Sequence, residues 1–194
     1  MYEVIGNTQS RAFRVLWMLE ELGQSYEHSP EKPHSEMVSS LNPSGKIPIL
    51  KDDGEVLTDS TAIITYLADK HKALTHPCGT VARARQDGLL HQFLDELDAV
   101  LWVATRHGFT LPEERRVPAV KESLRWEFEG NIRRIAQRFE GPYVMGDEMT
   151  VPDIVLTHCL NWAYAAKFAH GQENLLEYAR RMRARDAFRR ALGS

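Results

Sequence analysis

The sequence predicts two domains of different class: a mixed α/β domain over residues 1–71 and an all-helical domain over 80–194, joined by a linker at 72–79. Three observations carry this. Up to His71, short strand-like and helix-like segments alternate. From Thr80 onward no segment reads as a strand, and apolar residues recur at helical spacing. Between the two lies KALTHPCG, a short stretch with Pro and Gly placed where the pattern changes.

In the first domain, Tyr2 to Gly6 is a short strand ending on glycine. SRAFRVLWMLEEL, from Ser10, sets Phe13, Leu16, Trp17, Leu19 and Leu22 at roughly helical spacing, with Ser10 as N-cap and Gly23 as stop. Residues 24–29 form a weaker strand and 37–41 a short helix closed by Asn42-Pro-Ser-Gly45. Two apolar strands then flank Asp52-Asp-Gly54, a hairpin signal. STAIITYLADKH, from Ser60, is helical. The order is β-α-β-α-β-β-α, so a parallel pair comes first and a hairpin adds antiparallel strands. In the second domain the spacing predicts one long helix over 81–107, a second over 113–139 ended by Gly141-Pro142, a third over 151–168, and one or two shorter ones over 175–192.

Composition narrows the function. Of 194 residues, 43% are hydrophobic and 26% charged, the usual mix of a chain with a packed core. A net charge of −3 argues against a nucleic-acid binder or a polybasic membrane protein. Cys78 and Cys159 form no CxxC, so neither a disulfide framework nor a redox dithiol is expected, and two free thiols suit a reducing cytosol. No apolar run reaches the ~20 residues of a membrane span, and MYEVIGNTQSR lacks the layout of a signal peptide. A soluble cytoplasmic protein is expected.

Two features suggest a binding site. Pro48 interrupts the apolar run Ile47-Pro-Ile-Leu50, although proline cannot donate to a strand ladder. Either it opens an edge strand as an ordinary trans proline, the commoner case, or Ile47–Pro48 is cis. A cis bond would turn the Ile47 backbone outward to pair with an extended peptide-like ligand. Asp59-Ser60 stands at a helix start, where N–H groups and a serine hydroxyl suit a carboxylate and Asp59 suits an ammonium group. Ordinary helix capping by either residue explains the same pair.

Taken together, SRAFRVLWMLEELG, NPSGKIPIL and LTDSTAIITYL, in that order and spacing, resemble the glutathione transferase superfamily over nearly the whole chain. The loop before the first helix is most similar to the serine-class, theta/phi-like bacterial members. The resemblance implies a thioredoxin-like first domain, a cis Pro48, and glutathione as co-substrate with no metal. It assigns the Ile47 backbone to the cysteinyl part of glutathione and Asp59 and Ser60 to its γ-glutamyl end. Lys46 and His34 would meet the glycine carboxylate. Asp59 stands where the family more often has glutamate, which keeps the charge and shortens the reach. Thr150-Val-Pro-Asp153 resembles the family's helix-capping box, a structural feature.

The family stabilises a thiolate with a hydroxyl or thiol near the end of the first strand, which makes the anion available at neutral pH. In Gly6-Asn-Thr-Gln-Ser-Arg11 the resemblance points to Ser10 as the catalytic residue, with Thr8, Asn7 and Arg11 as alternates. Tyr2 lies too early. The loop has no cysteine, against omega-like and beta-like subclasses. Trp102, Arg106 and His107 would line the second-substrate pocket, although Trp102 suits a helix-bundle core equally well. The histidines show no HExxH-type metal spacing. The arginines from Arg180 to Arg190 read as a solvated basic face.

The implied activity is conjugation of glutathione to small hydrophobic electrophiles, a detoxification chemistry, in a homodimer. A glutathione-dependent isomerase or dehalogenase on the same site is a related alternative. A non-catalytic transferase-like interaction protein is a different one.

Overall fold

A computed structural model describes residues 1–168 and 170–193. By internal contacts the chain divides into two compact units, 1–78 together with 182–194, and 79–181.

The first unit is built on a four-stranded sheet in the order β2-β1-β3-β4, with β1 Tyr2–Ile5, β2 Tyr26–Ser29, β3 Ile49–Asp52 and β4 Glu55–Thr58. β1 and β2 are parallel, and the β1–β3 and β3–β4 pairs are antiparallel. Asp53 and Gly54 both have positive φ, 50° and 93°, as a two-residue hairpin turn requires. The helices are α1 Ala12–Glu21, α2 Glu36–Leu41 and α3 Ser60–His71. Val4, Ile5, Ile49 and Leu50 are fully buried, as expected of central strands.

Helix α1 starts one residue later than a Ser10 N-cap would place it, with Arg11 at the N-cap position. Ser10 lies in the turn before it, where the Phe13 and Arg14 amides reach back to Ser10 and Arg11 carbonyls at 3.1 Å each. Its hydroxyl still accepts the Ala12 N–H at 3.1 Å, so an orphan donor of the first helical turn is satisfied from one residue further out. Eight consecutive residues of α1, Ala12 to Leu19, are buried. A single apolar stripe cannot explain that, because such a helix is covered on several sides. The second cover is the chain's end. Helix α9, Asp186–Ala191, packs along α1, with the Phe188 ring edge-on to both Phe13 and Trp17 at centroid separations of 4.9 Å.

The expected helical domain over 80–194 therefore differs at its end from the contact-defined units, in which residues 182–194 join the first unit. Two of the arginines expected on a solvated face are tied down there. Arg185 grips Glu21 through two nitrogens at 2.6 and 2.7 Å, and Arg190 meets Glu20 at 2.6 Å. Fork-to-carboxylate pairing of this kind adds direction to the contact as well as energy.

In the second unit the expected long helix over 81–107 is one helical run with two wider turns. Helix α4 Val81–Phe93 passes into a π-helical stretch Leu94–Ala99, then α5 Val100–Thr105, then a second π stretch Arg106–Thr110. The helix expected from Glu113 begins only at Val120, as α6 Val120–Arg138, after a single 3₁₀ turn Glu113–Arg115. Pro118 accounts for the delay, since proline is tolerated only in a helix's first turn and disfavours helical backbone before it. Helix α7, Val151–Ala165, ends short of the expected Phe168 and is buried from Val151 to Thr157, and α8 is Glu173–Arg183. Asp153 fixes the start of α7: its carboxylate accepts the Thr150 N–H at 2.8 Å and the Thr150 hydroxyl at 3.2 Å. It also takes the Val144 N–H at 2.9 Å and the Tyr178 hydroxyl at 2.8 Å. Among the described residues no helix is long and apolar enough to cross a membrane.

Candidate functional site

Strand register gathers the segments singled out in the sequence. Ile5 pairs with Ser29 and with Ile49, and Ile49 pairs with Thr58, so these four residues form one row across the sheet. Each stands next to a candidate segment. Gly6–Arg11 follows Ile5, the loop containing His34 follows Ser29, Lys46–Pro48 precedes Ile49, and Asp59–Ser60 follows Thr58. Strand spacing makes this edge roughly 14 Å across, and an extended tripeptide is about 10 Å long. A cation and a histidine, Lys46 and His34, stand on one side of the row and an acid, Asp59, on the other.

Gly6 locks the middle of the edge. Its φ is 137°, and a Cβ there would lie 2.9 Å from the Ala12 Cβ and 3.0 Å from the Ile47 Cβ. The loop, the start of α1 and Ile47 thus meet at one point that only glycine fits. The Gly6 N–H donates to the Ser29 carbonyl at 2.9 Å. His28 Nε2 lies 2.8 Å from the Gly6 carbonyl, and since a carbonyl only accepts, that nitrogen carries the proton. His28 is not among the residues expected at the site from sequence, because its position on a half-exposed edge strand gives no local signal.

The Ile47–Pro48 peptide bond is cis. Among the described residues neither backbone group of Ile47 takes part in a turn or loop hydrogen bond. Its side chain packs against the small cluster of Ile5, Val38 and Ile49. Lys46 is exposed, its carbonyl held by the Asn42 amide at 2.9 Å. His34 lies close by. Its N–H donates to the Gly45 carbonyl at 2.8 Å, and its ring covers Gly45 so closely that a Cβ there would fall 2.0 Å from Nδ1.

Gly45→Ala must therefore displace the His34 ring and also strain a backbone at φ +66°. The expected outcome is a loss of about 1–3 kcal/mol in stability, read from the urea midpoint. Ligand affinity at the Lys46 side should weaken with it. An unchanged midpoint would mean that the His34–Gly45 packing is loose.

Asp59, at φ 69°, is the N-cap of α3, and its Oδ1 accepts the Thr61 and Ala62 N–H groups at 2.9 and 3.0 Å. Capping and ligand binding are compatible here, because both bonds use one oxygen of an exposed carboxylate. Ser60 is buried, and Arg14 Nη1 donates to its hydroxyl at 3.3 Å. Arg14 is itself fully buried, and it was not anticipated. An arginine inside AFRVLWML was the available signal, since charge in a run that apolar is rarely idle.

In the Gly6–Arg11 loop the Ser10 hydroxyl donates to the Asn7 carbonyl at 2.7 Å while accepting from Ala12. The Asn7 side chain accepts the Gln9 N–H at 3.1 Å. Thr8 is half-buried, and its hydroxyl makes no hydrogen bond among the described residues. Arg11 precedes α1 and caps nothing with its side chain. Tyr2 is at the far end of β1, its hydroxyl 2.8 Å from His71 Nε2. Trp102, Arg106 and His107 lie along one helical run of the second unit, all half-buried, and His107 Nδ1 accepts the Val117 N–H at 3.1 Å.

Chemically, the edge offers free backbone groups for an extended chain and charges of opposite sign at its sides. At its centre are hydroxyls beside the start of a helix, where partial positive charge favours an anion.

The profile of the domain described as "Glutathione S-transferase, N-terminal domain" matches residues 10–75. The chain is similar to glutathione S-transferase GstA of Escherichia coli O157:H7, 29% identical over 166 residues, 80% of this chain and 76% of that protein. It is 31% identical over 133 residues to human glutathione S-transferase theta-2B, covering 59% of this chain and about half (50%) of that relative's length. Among solved structures, a glutathione transferase from Methylococcus capsulatus superposes with a TM-score of 0.87 at 25% identity, over 100% of this chain and 98% of the other.

Proposed function

We propose a reaction for a chain that belongs to the glutathione transferase superfamily: it binds glutathione along the sheet edge and transfers the thiolate to a small hydrophobic electrophile. The observation that carries this reading is the single row Ser29–Ile5–Ile49–Thr58, which lines up four candidate segments across roughly 14 Å, wide enough to take an extended tripeptide of about 10 Å. The backbone N–H and C=O of Ile47 pair with the cysteinyl residue as a sheet edge pairs with an added strand. Asp59 and the start of α3 take the ammonium and carboxylate of the γ-glutamyl end. Lys46 and His34 take the glycine carboxylate. Arg14 positions Ser60 from below and touches no ligand.

Ser10 stabilises the thiolate. Its hydroxyl proton points at the Asn7 carbonyl, and rotation about Cα–Cβ and Cβ–Oγ redirects it to a bound sulfur. Thr8, with an uncommitted hydroxyl, is the competing donor. Trp102, Arg106 and His107 line the pocket of the electrophile, and the protein works as a cytoplasmic homodimer. An isomerase or dehalogenase would use the same thiolate.

Calorimetry with glutathione tests the reading. Binding is expected in the micromolar-to-millimolar range, with Asp59→Ala weakening it at least ~10-fold, the scale of about 1.4 kcal/mol. A chain that binds no glutathione at millimolar concentration would instead be the non-catalytic interaction protein, for which the Ser10–Asn7 bond is only part of a turn. Sedimentation at twice the chain mass of 22.2 kDa is the expected assembly result.

A further inference from the structure

We propose that the second unit holds a site for one zinc-type transition-metal cation, formed by Asp98, His158 and Cys159. The ligand atoms of these three side chains all lie within 4.8 Å of one another. They come from two elements: Asp98 from the π stretch Leu94–Ala99, and His158 with Cys159 from α7.

The donor set is chemically selective. Imidazole nitrogen, thiolate sulfur and carboxylate oxygen together suit a borderline-soft cation such as Zn²⁺ and poorly suit Mg²⁺ or Ca²⁺, which take oxygen ligands. Three protein donors leave a fourth tetrahedral position for water. With metal–ligand bonds of roughly 2.0–2.3 Å, tetrahedral donors stand about 3.3–3.8 Å apart. Closing from 4.8 Å then asks each side chain for a shift of about 1 Å or less, within the reach of small torsion changes.

Burial points the same way. Asp98 is 7% exposed and Cys159 is fully buried, whereas His158 is only partly covered and leaves an approach from solvent. The π stretch that carries Asp98 also fits, since such local widening recurs at functional sites. The His158 ring is steadied by an edge-on contact with Trp162, at a centroid separation of 6.1 Å. Local spacing could not reveal this group, because His158-Cys159 has no third ligand within a helical turn and Asp98 arrives from another helix. Conjugation by the site on the first unit needs no metal, so the cation would act by tying the π stretch to α7.

The test uses the full chain, stripped with a chelator and titrated first with Co²⁺ and then with Zn²⁺. One equivalent of Co²⁺ should give a near-ultraviolet thiolate-to-cobalt band and the visible bands of a tetrahedral site. Zn²⁺ should displace it and raise the thermal midpoint by several degrees, as binding to the native state alone requires. Cys78→Ser should leave both signals intact. Asp98→Asn and Cys159→Ser should weaken Co²⁺ binding at least ~10-fold, a typical loss when a ligand group is disturbed.

Should those variants misfold, His158→Gln provides a partly exposed substitution. Protection of Cys159 from alkylation by Zn²⁺ in the unaltered chain is an independent reading. A wild-type titration without a thiolate band overturns the site, leaving a hydrogen-bonded trio. So does a band that survives Cys159→Ser or disappears in Cys78→Ser.

Discussion

Replacing Ser10 with alanine is expected to lower turnover of glutathione with a chlorinated aromatic acceptor at least ~10-fold, a barrier change of about 1.4 kcal/mol. A free thiol near pKa ~8.5 is mostly protonated at neutral pH, so the enzyme must hold the anion. In the structure the Ser10 hydroxyl sits between two backbone groups, donating to Asn7 at 2.7 Å and accepting from Ala12 at 3.1 Å. The substitution therefore has two consequences that must be separated. Loss of the bond from Ala12 costs a cap, about 1 kcal/mol of stability. Loss of the proposed donor to sulfur would shift the kinetics.

The separating measurement is the pH dependence of kcat/KM for the electrophile at saturating glutathione, where the enzyme–glutathione complex is the free form whose ionisations it reports. Ser10→Ala should move its acidic limb upward toward the free thiol, and a merely structural serine would not. Thr8→Val is the matched comparison, because that hydroxyl is uncommitted. If Thr8→Val produces the upward shift while Ser10→Ala keeps its turnover, the role belongs to Thr8.

The second large effect falls on stability. Asp153→Ala should destabilise the fold by roughly 3 kcal/mol, because it removes the acceptor of three donors, and a buried donor left unsatisfied costs about 1–3 kcal/mol. The donors are the Thr150 and Val144 N–H groups and the Tyr178 hydroxyl, at 2.8, 2.9 and 2.8 Å. Tyr178 is fully buried, with its ring against Phe139 at 4.9 Å. Burial pushes the Asp153 pKa up from its ordinary 3.8, opposed by the bonds from Thr150, Val144 and Tyr178. Burial and the negative charge of Asp153 push the Tyr178 pKa well up in turn.

The sign for stability follows. A native carboxyl with a raised pKa holds its proton longer than the unfolded chain does. Its contribution is therefore largest below the unfolded value, declines as pH rises through the raised one, and is flat beyond. Asp153→Asn should remove that decline while retaining part of the hydrogen bonding. Urea midpoints for both variants at acidic and neutral pH would decide it, and an Asp153→Ala midpoint equal to the parent would contradict the capping role.

Much of this protein was legible in its sequence, for a physical reason: local rules act over a few residues. Alternating short elements up to His71 and helical spacing after Thr80 reflect side-chain periodicity. Asp53-Gly54 could be read as a hairpin because positive φ is cheap for few residues. Pro48 and the Asp59-Ser60 pair were visible as local exceptions to strand and helix grammar. The boundaries were less legible. Ser10 looked like the helix start, yet a turn intervenes and its hydroxyl caps from one position earlier. The π stretches in the long run have no signature in apolar spacing alone.

The two grammars, the candidate segments and the residue types a peptide-like ligand would need are all written in short stretches of the chain. Folding in three dimensions is what puts Ile5, Ser29, Ile49 and Thr58 in one row, sets Arg14 against Ser60, and closes Phe188 over Phe13 and Trp17. It also brought Asp98 to His158 and Cys159. These are pairings between residues far apart along the chain. They are selected by the total packing of buried surface, which no short stretch of sequence encodes.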